Sequence, residues 1–292
     1  MKFGRPQAAE PRIRSVNPTW RALRRAVKHP MFVAGFIIFV SVLVVAMGAD
    51  VLAPRSYREV DTARSLLAPS SEHPFGTDQY GRCIYSRVLY GSRIALRVGL
   101  VVVAIQGFIG ITLGLIAGYF GGHLDRLISF LTDVTWSIPP LVLAMAIVMA
   151  LGPSLDNVII AIAIVSWAEM ARVVRAKTQS VKGMVYVEAA RSMGRTDAGI
   201  MYRHILPNII SPIIVITTLA LPGAILSTTA LSFLGLGSQP PAPDWGVILQ
   251  EGIIYVEIAP WISVFPGIAI VWTVLGFNLL GVGLRDVLDP KL

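Results

Sequence analysis

The chain has 292 residues, 54% of them hydrophobic and 14% charged, with a mean hydropathy of +0.68 and a formal charge of +8. Soluble domains carry about 25% charged residues, so this balance excludes an ordinary soluble enzyme and points to a polytopic membrane protein. The single Cys83 excludes an internal disulfide framework and a multi-cysteine zinc site. The positive charge is no sign of nucleic-acid binding, because the basic residues cluster by position along the chain.

Residues 1–30 hold Lys2, Arg5, Arg12, Arg14, Arg21, Arg24, Arg25 and Lys28 against one acid, Glu10. The positive-inside rule makes this basic segment cytoplasmic. Within it, Trp20–His29 reads in two ways: an interfacial stretch with Trp20, Leu23 and Val27 dipping into the membrane surface, or a plain topology signal. The apolar run Met31–Ala49 is long and lacks a small-residue cleavage pattern, which predicts an uncleaved first span.

Segment 54–93 mixes Pro, Ser and charge, and His73–Arg82 is turn-rich. Ile84–Ile94 has apolar residues near helical spacing, which predicts a short surface helix leading into span 2. Span 2, Val98–Gly122, carries Gly110, Gly114 and Gly118 at i, i+4, i+8, a flat face for another helix. Span 3 is Val134–Leu155, with Pro139-Pro140 able to kink it. Asn157–Ala168 makes a fourth span only if extended past Glu169 to about Val174. Ile205–Pro243 is too long for one helix. Pro222-Gly223 and the Gly235/Gly237 pair put a span end near Leu231, followed by a re-entrant or surface segment. Ile258–Leu284 is the last span. The expected fold is all-α with six transmembrane helices.

Six crossings put both termini and a segment at about 173–208 in the cytoplasm, and segments at about 54–93 and 232–260 outside. Arg172–Asn208 holds seven cations against Glu188 and Asp197, and Ser232–Pro260 holds no Lys or Arg, as the rule requires. Arg55–Arg97 resists: seven arginines lie outside, offset in part by Glu59, Asp61, Glu72 and Asp78.

Two acids fall in or near spans. Asp133 and Glu169 serve either as a proton or substrate-amine site, or as partners of Arg126, Arg172 or Arg175 at the inner interface. Met145 and Met149 read as packing. The four histidines lack metal-ligand spacing, and nothing assembles a catalytic cluster, so neither a metal nor a cofactor is expected.

The polar island at 188–208 stands out in so apolar a chain. Val185–Met193 is rich in helix formers, Gly194 ends that helix, Thr196 caps a second one running to His204, and Pro207 marks the return to the membrane. Glu188-Ala189-Ala190, Gly194 and His204-Ile205-Leu206-Pro207-Asn208 resemble the EAA loop of ATP-binding-cassette (ABC) importer permeases. Phe75-Gly-Thr-Asp78, Gly81-Arg82, Ser86-Arg87, Leu231–Gly237, Trp245-Gly246 and Leu284-Arg-Asp286 are similar to dipeptide, oligopeptide and nickel permeases. The resemblance runs from about residue 20 and points to the second of two permease subunits. Cys83 and Val282 stand where that family commonly has acids.

The resemblance implies an ABC type I importer permease fold, with a transmembrane permease domain over 31–292. It implies that Glu188, Ala189, Ala190, Gly194, His204, Leu206, Pro207 and Asn208 couple the chain to an ATPase. The implied partners are a second homologous permease subunit, two ABC ATPase subunits and an external substrate-binding protein, in a bacterial inner membrane. No Gly is followed by Lys in this chain, so the phosphate-binding motif Gly-x-x-x-x-Gly-Lys-Ser/Thr is absent and ATP hydrolysis falls to a separate subunit. Dipeptides, longer peptides, nickel chelates and glutathione-like compounds all stay open as cargo. The alternative is a self-contained proton-coupled secondary transporter using Asp133 or Glu169. Such transporters often carry inverted repeats, and none is evident here.

Overall fold

The computed structural model describes residues 25–288, and among these the regular structure is helical. The helices are α1 (Pro30–Leu52), α2 (Ile84–Phe120), α3 (Gly122–Ser137), α4 (Pro140–Leu151), α5 (Leu155–Val181), α6 (Val185–Ser192), α7 (Asp197–Ile200), α8 (Ile210–Phe233), α9 (Trp245–Gly252) and α10 (Trp261–Leu288). Helices α1, α2, α5, α8 and α10 are each long and apolar enough to cross a membrane, and α3 with α4, bent by 90° at their junction, brings the count to six if the pair is one broken span rather than a re-entrant loop. Of the basic stretch Trp20–His29, residues 20–24 lie outside the described residues; 25–28 form one helical turn ahead of Pro30, with Ala26 buried and Val27 exposed.

Two expectations need correction. Ile84–Ile94 is not a separate surface helix. It is the first part of α2, which runs unbroken for 37 residues, about 55 Å at 1.5 Å per residue. That exceeds a hydrocarbon core of about 30 Å, so the charged first turns stand clear of it. Span 3 is not one helix either. Ile138 and Pro139 are extended, and α3 and α4 meet at 90°. Pro140 at the start of α4 has no N–H to continue the ladder, and Pro139 biases the residue before it away from helix.

Glycines set the packing of α2 on α5. A Cβ on Gly110, Gly114 or Gly118 would lie 2.6 Å from Met170 Cβ, the Ala171 carbonyl or Thr178 Cβ respectively. The three glycines therefore bring the two backbones together along the predicted flat face, and the contacts advance in step, so α2 and α5 run parallel. Gly107, outside that stripe, faces open space. Helices α1 and α10 pack antiparallel, with Gly35 against the Leu279–Leu280 backbone and Gly283 against Phe32.

The bundle has two different ends. One, the cap end, carries 53–83 and 234–260. The other, the loop end, carries 182–208 and both ends of the described chain, where His29 Nε2 lies 3.2 Å from Asp286.

The cap end explains six of its seven arginines; the seventh, Arg58, lies against Tyr57. Arg55 pairs with Glu59 and Glu72, Arg64 with Asp61 and Glu72, Arg93 with Asp50 and Arg97 with Asp156. Arg82 and Arg87 are buried with Asp78 and reach the part-buried Glu251: Arg82 Nε is 2.6 Å and Arg87 Nη1 2.7 Å from Asp78, while their Nη2 atoms reach Glu251 at 2.9 and 2.8 Å. Two cations thus balance two anions, as a site removed from water requires. The cluster ties 53–83 to α2 and α9. Trp245 Nε1 donates to the Val88 carbonyl at 3.0 Å and Trp261 Nε1 to that of Thr77 at 3.1 Å, closing the same cap.

Helix α8 ends at Phe233, Gly235 turns the chain at φ +80°, and a surface segment leads to α9, as the length of that run predicts. Asp244 holds this segment. Its buried carboxylate accepts from Ser232 and Ser238, each at 2.9 Å, and from the Gly246 N–H at 2.8 Å. With no cation in the set, burial pushes the carboxyl of Asp244 above its ordinary range.

Candidate functional site

The site is the island at the loop end, built from α6, α7 and the turns after them. Helix α6 covers Val185–Ser192 and stops as a Schellman turn: Gly194 adopts φ +73°, its N–H donates to Arg191 O at 3.0 Å, and Arg195 N–H reaches Ala190 O at 3.2 Å. Thr196 then caps α7, its hydroxyl accepting from the Gly199 N–H at 3.2 Å. Both features were legible locally.

The second helix keeps its α form only to Ile200. Met201–Ile205 widens into a π turn and Leu206–Asn208 tightens into a 3₁₀ turn before α8. Pro207 is the cause, since it has no N–H to offer the Arg203 carbonyl one turn back. The Asn208 side chain donates to the His204 carbonyl at 2.6 Å, so one carbonyl left free by this distortion is satisfied.

The island has two faces. Val187, Ala190, Ile200, Ile205 and Ile209 are buried in one apolar cluster with Leu115 and Tyr119 of α2, Met170 and Val174 of α5, and Ile213 of α8. The other face is open. Glu188, Ala189, Gly194, Pro207 and Asn208 are exposed, His204 and Leu206 are half-buried, and Ala190 alone of the expected coupling residues is buried. Two large apolar side chains share the open face: Val185 is 81% exposed and Met193 75%.

Tyr119 is a residue that sequence reasoning missed. It sits in the last turn of α2, donates its hydroxyl to Asp197 at 2.6 Å, and accepts from Arg191 at 3.3 Å. The Arg191 guanidinium also lies over its ring, 5.7 Å from the centroid. One side chain of a spanning helix therefore holds α6 and α7 together. A tyrosine at the end of an apolar run is too common to flag this.

The two acids of the spans fare differently. Asp133 lies on α3 and pairs with Arg172 at 3.0 Å, one of the arginine partners expected for it. Glu169 is exposed and makes no ion pair among the described residues. Asp125 takes Arg175 instead.

A broken-span helical bundle with a two-faced loop at one end matches a known family model. Residues 110–292 match the binding-protein-dependent transport system inner membrane component, and residues 17–69 match the N-terminal TM domain of oligopeptide transport permease C. The chain belongs to this family of transport permeases. It is 44% identical over 283 residues to a dipeptide transport system permease protein of Alkalihalophilus pseudofirmus, covering 97% of this chain and 93% of the relative. A glutathione transport system permease protein of Pectobacterium atrosepticum is 44% identical over 285 residues, covering 96% and 94%. Its Escherichia coli counterpart is 46% identical over 276 residues, covering 94% and 89%. The chain is accordingly the permease subunit of an ABC importer, a membrane component that works with ATPase and substrate-binding partners. Nothing favours the proton-coupled alternative.

Proposed function

We propose that the open face of 182–208 is the contact through which an ATPase subunit drives this permease, with Glu188, Ala189, Ala190, Gly194, His204, Leu206, Pro207 and Asn208 forming or shaping it. The observation that carries the reading is the split of α6. Val187 and Ala190 are fully buried in the apolar cluster that also holds Leu115 of α2 and Met170 and Val174 of α5, while Val185 on the same helix stands 81% exposed. A displacement of the open face would reach the spanning helices through that shared cluster. Gly194 and Thr196 fix the angle between α6 and α7, and Tyr119 links both to α2.

On this reading the loop end and both termini are cytoplasmic, including the basic segment 1–30, and the cap end faces outward. The permease domain is 31–292. The importer holds this chain, a second homologous permease, two ATPase subunits that carry the nucleotide chemistry missing here, and an external binding protein. The cargo is a peptide or related small solute, in keeping with relatives named for dipeptide and glutathione transport. ATP binding closes the ATPase pair, which shifts the loop and turns the pathway outward. That shift requires the loop to bind the closed and open ATPase forms with unequal affinity.

The test is uptake and ATPase co-purification with Glu188→Lys and Gly194→Asp. The first reverses a charge on the open face, and the second puts a side chain on a positive-φ turn. Membrane insertion with lost uptake is the expected result. Normal uptake with both variants rejects the coupling assignment.

A further inference from the structure

A cleft of about 420 Å³ opens at the loop end between α5, α8 and α10. Lys177 and Arg285 stand among its lining residues, the first four residues before the end of α5 and the second three before the end of α10. Ser211, the second residue of α8, lies at the same level. Neither cation lies within ion-pair distance of a carboxylate among the described residues, although Arg172 and Arg175 on the same α5 are both paired. Below them the wall is apolar, formed by Val215, Ile216 and Leu219. From Ser211 to Leu219 the helix advances about 12 Å, most of the way through one leaflet's hydrocarbon.

Two cations with no carboxylate partner among the described residues, above an apolar wall at a membrane surface, match an amphiphile with an anionic head. We propose that this cleft binds one anionic phospholipid from the leaflet at the loop end. Its phosphate sits between Lys177 and Arg285, and an acyl chain lies along Val215, Ile216 and Leu219. A soluble anion would use the two cations and gain nothing from the wall. The bound lipid would brace the start of α8 against α5 and α10, next to the loop that enters α8.

The assembled transporter, delipidated in detergent, is titrated with phosphatidylglycerol, phosphatidylcholine and glycerol 3-phosphate. Bound lipid is counted by native mass spectrometry and the unfolding temperature is followed. The wild type should retain one more phosphatidylglycerol per copy of this chain than the Lys177→Gln/Arg285→Gln variant. That variant should bind about thirtyfold more weakly, the effect of removing two cations at a membrane surface. The Lys177→Arg/Arg285→Lys variant should bind as the wild type does. Undiminished binding by the charge-free variant overturns the proposal. If that variant does not assemble, the wild type decides alone. Equal retention of phosphatidylcholine means that no headgroup is recognised, and an equal effect of glycerol 3-phosphate means a soluble-anion site; either result rejects the lipid.

Discussion

The Tyr119 hydroxyl donates to the Asp197 carboxylate at 2.6 Å, across 78 residues of sequence. It joins the last turn of the longest helix to the second helix of the loop, and Arg191 from the first loop helix meets the same hydroxyl. The loop is thus fastened to the bundle by a polar tie as well as by its buried apolar face.

Removing that tie should loosen the loop without unfolding the bundle. Tyr119→Phe deletes a hydrogen bond to a charged acceptor, about 1.5–3 kcal/mol where it is shielded and less where water enters. Uptake should fall severalfold with normal membrane insertion, and amide exchange over 185–200 should speed up. Unchanged exchange would show that the apolar face holds the loop unaided.

The glycine stripe makes a sharper structural prediction. At Gly114 a Cβ meets the Ala171 carbonyl at 2.6 Å, and backbone cannot yield as a side-chain tip can. Gly114→Val should part α2 from α5 and lower stability by about 2 kcal/mol or more, in the range of overpacked cores. Gly107→Ala, with nothing near its Cβ, should be close to neutral. Unfolding temperatures of the purified transporter compare the two.

The reach of sequence reasoning follows from distance along the chain. The cap of α6 at Gly194, the Thr196 cap and the Gly110–Gly114–Gly118 face are local patterns, and each was legible. The seven arginines between Arg55 and Arg97 read as a strain on topology, because two of the carboxylates that receive them come from far along the chain: Asp156 for Arg97, and Glu251 for Arg82 and Arg87. For the same reason the sequence places the start of span 2 at Val98, well inside α2. Its charged first turns look unlike a span until their partners are in place. Pro139-Pro140 announced a kink, but the right-angle break depends on how α3 and α4 each pack on α5.

The buried cluster of Asp78, Arg82, Arg87 and Glu251 should respond as a neutral unit. Arg87→Met leaves one anion in excess in a site shielded from water, a change that costs about 3–5 kcal/mol when a buried pair is broken. Adding Glu251→Gln restores neutrality and should recover part of the loss. Yield and unfolding temperature of the single and double variants measure this coupling, and additive losses would argue that the charges act separately.

Asp244 predicts a pH dependence at the cap end. Its carboxyl is raised by burial, so the folded state holds the proton more tightly than the unfolded chain does. The stability this adds is complete below the ordinary carboxylate range and is lost as pH rises through the raised value. Protection factors over 234–244, the intrinsic base-catalysed rate divided by the observed exchange rate at the same pH, should therefore fall as pH rises through the raised carboxyl value, and Asp244→Asn should flatten that trend. Protection that rises with pH would contradict this sign.

The central claim is that the open face of α6 meets an ATPase subunit. A photo-crosslinking amino acid at Met193, 75% exposed, tests it in the assembled transporter, with one at Gln239 on the cap end as control. An adduct between position 193 and the ATPase subunit, changing in yield when nucleotide binds, is the predicted result. Adducts with the ATPase from position 239 and none from position 193 would contradict the account.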